Sequence, residues 1–231
     1  MPAKVKLSSR LLTDVFWSIM FQKDEELLSE KAALFQGLAR LDDLRAEADY
    51  NTGSISPVAA WSLYNVVRHF RPKRIIEVGT FIGKSTMSMA TALEDQKAPG
   101  DIFTCDGSND IKLPWEGRTR IHQFPKTTSG EMFKAIDAPC DLVFLDGRLK
   151  KQDLELLDGL VSEETIFILD DFEGMEKGVI NLTLLMAMEK LRNHFLIYPA
   201  SAGWLAKRGY TSHSVTAVLI PTSRFAFTKQ G

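Results

Sequence analysis

Apolar and polar positions follow two rhythms along this chain, and the rhythm changes near Pro72. Before it, apolar residues recur at helical spacing: first Leu12, Phe16, Ile19 and Met20, then Leu34, Leu38 and Leu41. Each set is the stripe of an amphipathic helix and needs an apolar partner to cover it. The strongly charged stretch 22–30 lies between the two sets and reads as exposed. Asn51-Thr52-Gly53-Ser54 reads as a turn. Ser56-Pro57 then opens another helix through Ala60, Leu63, Val66 and Val67, with serine as cap and proline in the first turn. The chain thus divides into a helical segment, 1–50, and a larger unit, 51–231. The segment's stripes suit a cap on the larger unit, a substrate lid or a dimerisation arm.

After Pro72, short apolar runs at 75–78, 102–105, 121–124, 141–145 and 165–169 predict strands. Helical patterns lie among them, at 84–94, through Leu154, Leu157 and Leu160, and through Val179, Leu182, Leu185 and Met188. Apolar strands separated by helices predict a parallel sheet covered on both faces, a doubly wound α/β fold. Two further strands, 195–198 and 215–220, follow each other without a predicted helix, which makes one of them antiparallel.

In such sheets ligands collect at the carboxyl ends of the strands. There the residues are polar at four ends: Glu77-Val78-Gly79, Asp106-Gly107-Ser108, Asp146-Gly147-Arg148 and Asp170-Asp171. Acids and glycines also serve as turn formers and helix caps, but their recurrence after four strands points to a site. The first loop, Glu77-Val78-Gly79-Thr80-Phe81-Ile82-Gly83-Lys84-Ser85, lacks one glycine of a dinucleotide fingerprint, and its glycine spacing is one residue short of a phosphate loop. Glu77, two positions before the first glycine, would repel a pyrophosphate and suits a ligand with a free ammonium. Asp106 stands where a carboxylate can accept hydrogen bonds from ribose hydroxyls.

Composition narrows the picture. A net charge of -2 gives no reason to expect a nucleic acid or an anionic membrane as partner. Cys105 and Cys140, the two cysteines, adjoin or lie within apolar runs and read as core residues of a reducing compartment. No signal-peptide pattern and no apolar run of membrane-spanning length is present, so the expected location is cytoplasmic.

Residues 52–220 resemble the class I S-adenosylmethionine-dependent methyltransferases, particularly the catechol and caffeoyl-CoA O-methyltransferase type. The run 75–90, containing Glu-Val-Gly-Thr-Phe-Ile-Gly-Lys-Ser, is similar to that family's first motif, and Thr52-Gly53-Ser54-Ile55-Ser56 to its upstream turn. The resemblance implies a seven-stranded sheet of order 3-2-1-4-5-7-6 with one antiparallel strand. It implies methyl transfer from S-adenosylmethionine to an oxygen of a small molecule (a phenol, sugar or natural product); the assembly expected of this chain is a homodimer or higher homo-oligomer. Cofactor contacts are implied at Ser54, at Glu77, Gly79, Thr80, Phe81 and Ser85, at Asp106, Gly107 and Ser108, and at Ser129 and Asp146. Within that set Glu77 and Gly79 hold the methionine moiety, Asp106 the ribose, and the Thr128-Ser129 turn the adenine.

In the metal-dependent branch of that family, acids after the fourth and fifth strands bind Mg2+ or another divalent cation. Asp146, Asp170 and Asp171 match those positions, and the Asp-Asp pair resembles macrolide sugar O-methyltransferases. Three carboxylates suit a hard, octahedral ion that favours the deprotonated acceptor; the pair also suits a cap of the following turn. The chain departs from the macrolide sugar enzymes at Arg148, where they commonly carry an acid or a different polar residue, and from the catechol enzymes at Leu149, where they carry a lysine. Lys150 and Lys151 stand nearby, at a helix start where lysines are ordinarily solvated, and the general base is not assigned. His69, His122 and His194 read as structural; His213 lies before the last strand, within reach of the site's rim. Trp204 and Tyr210 fit a substrate wall or a plug in the loop joining the last two strands.

Other classes fit less well. The missing glycine opposes an NAD-dependent oxidoreductase, and Asp146-Gly147-Arg148-Leu149 is not the Asn/Asp-Pro-Pro-aromatic run of base-modifying enzymes. A metal-independent methyltransferase and a non-catalytic S-adenosylmethionine-binding protein remain as alternatives.

Overall fold

The computed structural model describes residues 9–48, 53–109 and 111–225. Seven strands form one sheet: Arg74–Val78 (β1), Asp101–Asp106 (β2), Arg120–Pro125 (β3), Leu142–Leu145 (β4), Ile166–Leu169 (β5), His194–Ile197 (β6) and Ala217–Pro221 (β7). Their order is β3-β2-β1-β4-β5-β7-β6. The first five run parallel, and β7 pairs antiparallel with both β5 and β6. This is the order and the single reversed strand that the resemblance implies.

Alternation along each strand builds two cores. Ile75, Ile102, Leu142, Phe144, Ile166 and Ile168 point to one face, and Ile76, Phe103, Val143, Leu145, Phe167 and Leu169 to the other. Helices Ser129–Ala135 (named α5 below), Asp153–Leu160 (α6) and Lys177–Leu185 (α7) cover the second face. Ser9–Met20 (α1), Leu28–Arg40 (α2), Pro57–Phe70 (α3) and Lys84–Asp95 (α4) cover the first. Residues 58–67 of α3 are buried without a break, because α3 lies between the sheet and the N-terminal helices. Ser56 caps α3 by accepting from the Ala59 amide at 3.2 Å.

The N-terminal helices belong to that same core. Phe16, Trp17, Met20, Leu34, Leu38 and Leu41 are buried within it. Trp17 Nε1 donates to the Tyr198 carbonyl at 2.8 Å, and Asp24 accepts from Trp61 Nε1 at 2.5 Å and from Tyr210 Oη at 2.8 Å. Trp204 stacks edge-on against Phe21 at 5.4 Å. Trp204 and Tyr210 therefore fasten the β6–β7 loop to the N-terminal helices, as a plug would.

Three elements differ from the pattern-based expectation. A capped helix, α5, starts at the expected Thr128-Ser129 turn, where the Thr128 and Glu131 side chains satisfy each other's backbone amides. A five-residue helix, Ala202–Ala206 (α8), lies between the last two strands, too short to show a period. The helix expected through Met188 ends at Leu185, and a 3-10 turn at Glu189–Leu191 leads into β6. Cys105 and Cys140 are unpaired core residues, and burial pushes each thiol up to about 12. Among the described residues no helix is long and apolar enough to cross a membrane.

Candidate functional site

The loop after β1 is bent by one residue that tolerates it. Gly79 sits at φ 104°, and a Cβ there would come within 2.9 Å of the Gly147 amide nitrogen and 3.0 Å of the Asp146 carbonyl carbon. Only glycine combines that dihedral with so close an approach of the β4 loop. The amides of Gly79 and Thr80 donate to the Cys105 carbonyl at 3.0 and 3.1 Å, which ties the loop to β2. Phe81 follows at φ 45°, costly for a bulky residue. Asp106 holds it there: one carboxylate oxygen accepts from the Phe81 amide at 2.8 Å, the other from Ser108 and Asn109 amides at 2.9 Å each.

These residues wall a cleft of about 310 Å3 at the carboxyl ends of β1, β2 and β4. Of the residues expected to touch a cofactor, Gly79, Phe81, Asp106, Gly107, Ser108, Ser129 and Asp146 line it. Ser54 lines a neighbouring cavity instead, with its hydroxyl accepting from Arg45 Nη2 at 2.7 Å. Thr80 and Ser85 are buried beneath the loop, Thr80 bonded to the Thr104 hydroxyl at 2.5 Å. Asn51 and Thr52 of the upstream turn lie outside the described residues.

Glu77 is fully buried under the same loop. One of its oxygens accepts from the Thr86 hydroxyl; the other, Oε1, has no hydrogen-bond partner among the described residues. Burial raises its pKa from 4.5 to about 7, against the opposing pull of the Ser85, Thr104 and Thr86 hydroxyls. An orphaned carboxylate oxygen below a glycine-lined cleft is the environment an ammonium-bearing ligand would complete.

Beyond Asp146 a second cavity, of about 600 Å3, opens at the ends of β4 and β5. Ser54, Ser56, Asp170, Asp171, Thr211 and His213 contribute to its walls. Gly53, Asp146 and Lys177 line both cavities, so they mark the junction between them. Of the four histidines, His213 is the one on this wall; His122 is bound to Asp101 at 2.7 Å and His194 to the Thr165 carbonyl at 2.8 Å.

The three acids expected to share a metal are brought to one place, but their partners differ. Asp170 is buried and accepts from the Thr216 hydroxyl at 2.7 Å. Asp146 and Asp171 instead hold the Lys177 ammonium, at 2.6 and 2.9 Å. Burial and the Asp170 charge raise the Asp146 pKa to about 7, while Lys177 opposes the rise. Burial also raises Asp170, against the Thr216 hydrogen bond. Lys177 is raised above the usual lysine range by Asp146 and Asp171, which outweigh its burial. Among the described residues no three His, Cys, Asp or Glu side chains are grouped so as to hold a metal ion. The expected divalent site does not fit this geometry, because a lysine already lies on two of its three carboxylates.

Lys177 escaped notice because it is the first residue of α7 and looks like an ordinary solvated helix start. The available signal was electrostatic: a cation in a first turn faces the positive end of the helix dipole and calls for nearby carboxylates. Gly178 sets its position, since a Cβ there would lie 2.3 Å from the Asp170 carbonyl oxygen. The start of α7 is thereby pressed against the end of β5. Of the two lysines near the departure at Leu149, Lys150 lines the glycine-walled cleft, and Lys151 is exposed.

Comparison with known proteins shows what the chain is similar to. Residues 76–172 match a family described as a methyltransferase domain. An O-methyltransferase from Bacillus cereus in complex with SAH is 17% identical, with 79% of this chain and 90% of that one covered at a TM-score of 0.57. TomG from Streptomyces achromogenes, an O-methyltransferase involved in Tomaymycin synthesis and solved with SAM, is 16% identical over 80% and 88% of the two chains, at 0.54. SAH-bound methyltransferase PaMTH1 from Podospora anserina is 14% identical over 82% and 87%, at 0.54. No curated protein matches the sequence. Residues 76–172 therefore resemble a methyltransferase domain, and the chain has the fold of these O-methyltransferases.

Proposed function

We propose that the protein transfers a methyl group from S-adenosylmethionine to an oxygen of a small molecule. The observation that carries this reading is the junction of the two cavities: a glycine-lined cleft and a polar cavity share Gly53, Asp146 and Lys177 as a common wall. When bound, S-adenosylmethionine supplies a methyl group on a positively charged sulfur. In the cleft, Asp106 is the acceptor for ribose hydroxyls and Ser129 lies toward the adenine. Glu77 Oε1 is the acceptor for the methionine ammonium. Gly79 and Gly107 leave the backbone bare, and an added Cβ at Gly107 would meet no atom within 4 Å.

The second cavity takes the methyl acceptor. Hydroxyls from Ser54, Ser56, Thr211 and Ser212 and the acids at the strand ends give it a polar wall, with Ile55, Ala59 and Val215 as apolar counterparts. Such a wall suits a compound with several hydroxyl groups, and its acids disfavour a nucleic acid. Divalent-ion assistance has no place in this reading, since Lys177 stands on the carboxylates that would bind the ion.

The test is a panel of phenols, sugars and amines incubated with S-adenosylmethionine, with release of S-adenosylhomocysteine and the mass of each product followed. Transfer to hydroxyl compounds is expected. Methylation of amines alone would move the activity to nitrogen.

A further inference from the structure

Lys177 is not placed by the preferences of its own helix. As the first residue of α7 it carries a positive charge into the positive end of the dipole. It is held by Asp146 Oδ1 at 2.6 Å and Asp171 Oδ2 at 2.9 Å. Asp171 adopts φ 49°, the left-handed region, and Gly178 fits against the Asp170 carbonyl. Backbone and side chains at the end of β5 are thus arranged around this ammonium. An ion ligated by the same oxygens would lie about 2.0–2.6 Å from them, in space that the ammonium fills. The third carboxylate, Asp170, is 5% exposed and engaged by Thr216.

We propose that Lys177 is the protein's built-in cation, occupying the place of a divalent ion between Asp146 and Asp171 and presenting its charge to the acceptor oxygen. The role toward the acceptor rests on the methyltransferase reading of the two cavities; the exclusion of the metal does not. Lys177 lines the cofactor-side cleft and the acceptor cavity alike, so its charge stands where a donor and an acceptor would meet. Asp146 and Asp171 hold the ammonium at 2.6 and 2.9 Å, and a fixed positive charge there favours an oxygen that has lost its proton. The two acids that resemble metal ligands act on the substrate through the lysine.

The experiment is a Mn2+ titration of the full chain, read by the electron paramagnetic resonance of free Mn2+ and by thermal unfolding. The wild type is expected to bind no Mn2+ at concentrations that saturate Lys177→Ala. Lys177→Ala should gain one site, and adding Asp171→Ala to it should remove that site. Stoichiometric Mn2+ binding by the wild type, lost in Asp171→Ala, would overturn the proposal, as would a folded Lys177→Ala that binds none. The wild-type arm stands even where a variant fails to fold. With an acceptor from the panel, Lys177→Ala in chelator should lose about a hundredfold in kcat/KM. Lys177→Arg should keep part of that activity, and Mn2+ should restore turnover to Lys177→Ala while leaving the wild type unchanged. Activity of Lys177→Ala equal to wild type in chelator would deny the lysine its role. S-adenosylhomocysteine binding, measured alongside, reports on the methyltransferase reading separately: its absence would remove that reading without altering the Mn2+ result.

Discussion

Two regions of the same sheet edge treat their acids in opposite ways. Over β1 and β2, Asp106 accepts from three backbone amides, and one Glu77 oxygen has no hydrogen-bond partner among the described residues. Over β4 and β5, Asp146 and Asp171 are joined to a full positive charge. Amides organise a carboxylate without cancelling its charge, so the β1–β2 side still attracts the donors of a ligand. An ammonium cancels much of it, so the β4–β5 side offers a ligand a lysine supported by acids. Acids that look alike in the sequence therefore do different work on the two sides.

The largest effect that sharpens this contrast concerns Glu77. Its folded pKa of about 7 lies above its ordinary 4.5. For an acid raised on folding, the stabilising contribution is full below the ordinary value and is lost as pH rises through the folded one. The wild type should therefore lose up to about 3 kcal/mol relative to Glu77→Gln between those two pH values, as read from urea unfolding of both proteins. Bound S-adenosylhomocysteine, whose ammonium would favour the ionised carboxylate, should flatten that dependence. A flat difference without ligand would mean that folding does not raise the Glu77 pKa.

On the other side, Thr216→Val removes the donor that Asp170 uses. Leaving a buried acceptor without its partner costs about 1–2 kcal/mol. The midpoint of chemical unfolding should fall accordingly, with S-adenosylhomocysteine affinity unchanged. A variant that loses ligand affinity as well would join the two regions into one cooperative site and break the comparison.

Much of this arrangement was legible in the sequence, for reasons that also explain what was not. Short apolar runs report burial, and all four residues of β4 and of β5 are buried, so those strands stood out. The acids and Gly79 were legible because turns at strand ends place ligands in this architecture. Pairing between distant side chains leaves no period: Lys177 meets Asp146 across 31 positions. The three amides on Asp106 were equally hidden, since backbone donors carry no residue identity. The amphipathic stripes of α1 and α2 announced a need for burial but not the partner, which is α3 and β6 for α1 and α4 for α2. The five residues of α8 and the seven of α5 span too few turns to show a helical rhythm.

The central claim is that the amide-organised side is a cofactor cleft, and calorimetric titration with S-adenosylhomocysteine tests it most directly. The wild type should bind at one site with micromolar-range affinity, on the order of -8 kcal/mol. Asp106→Ala removes both the proposed ribose acceptor and the anchor of Phe81, and should weaken binding by ~1.5–3 kcal/mol. No binding by the wild type, or equal affinity in Asp106→Ala, would contradict the account.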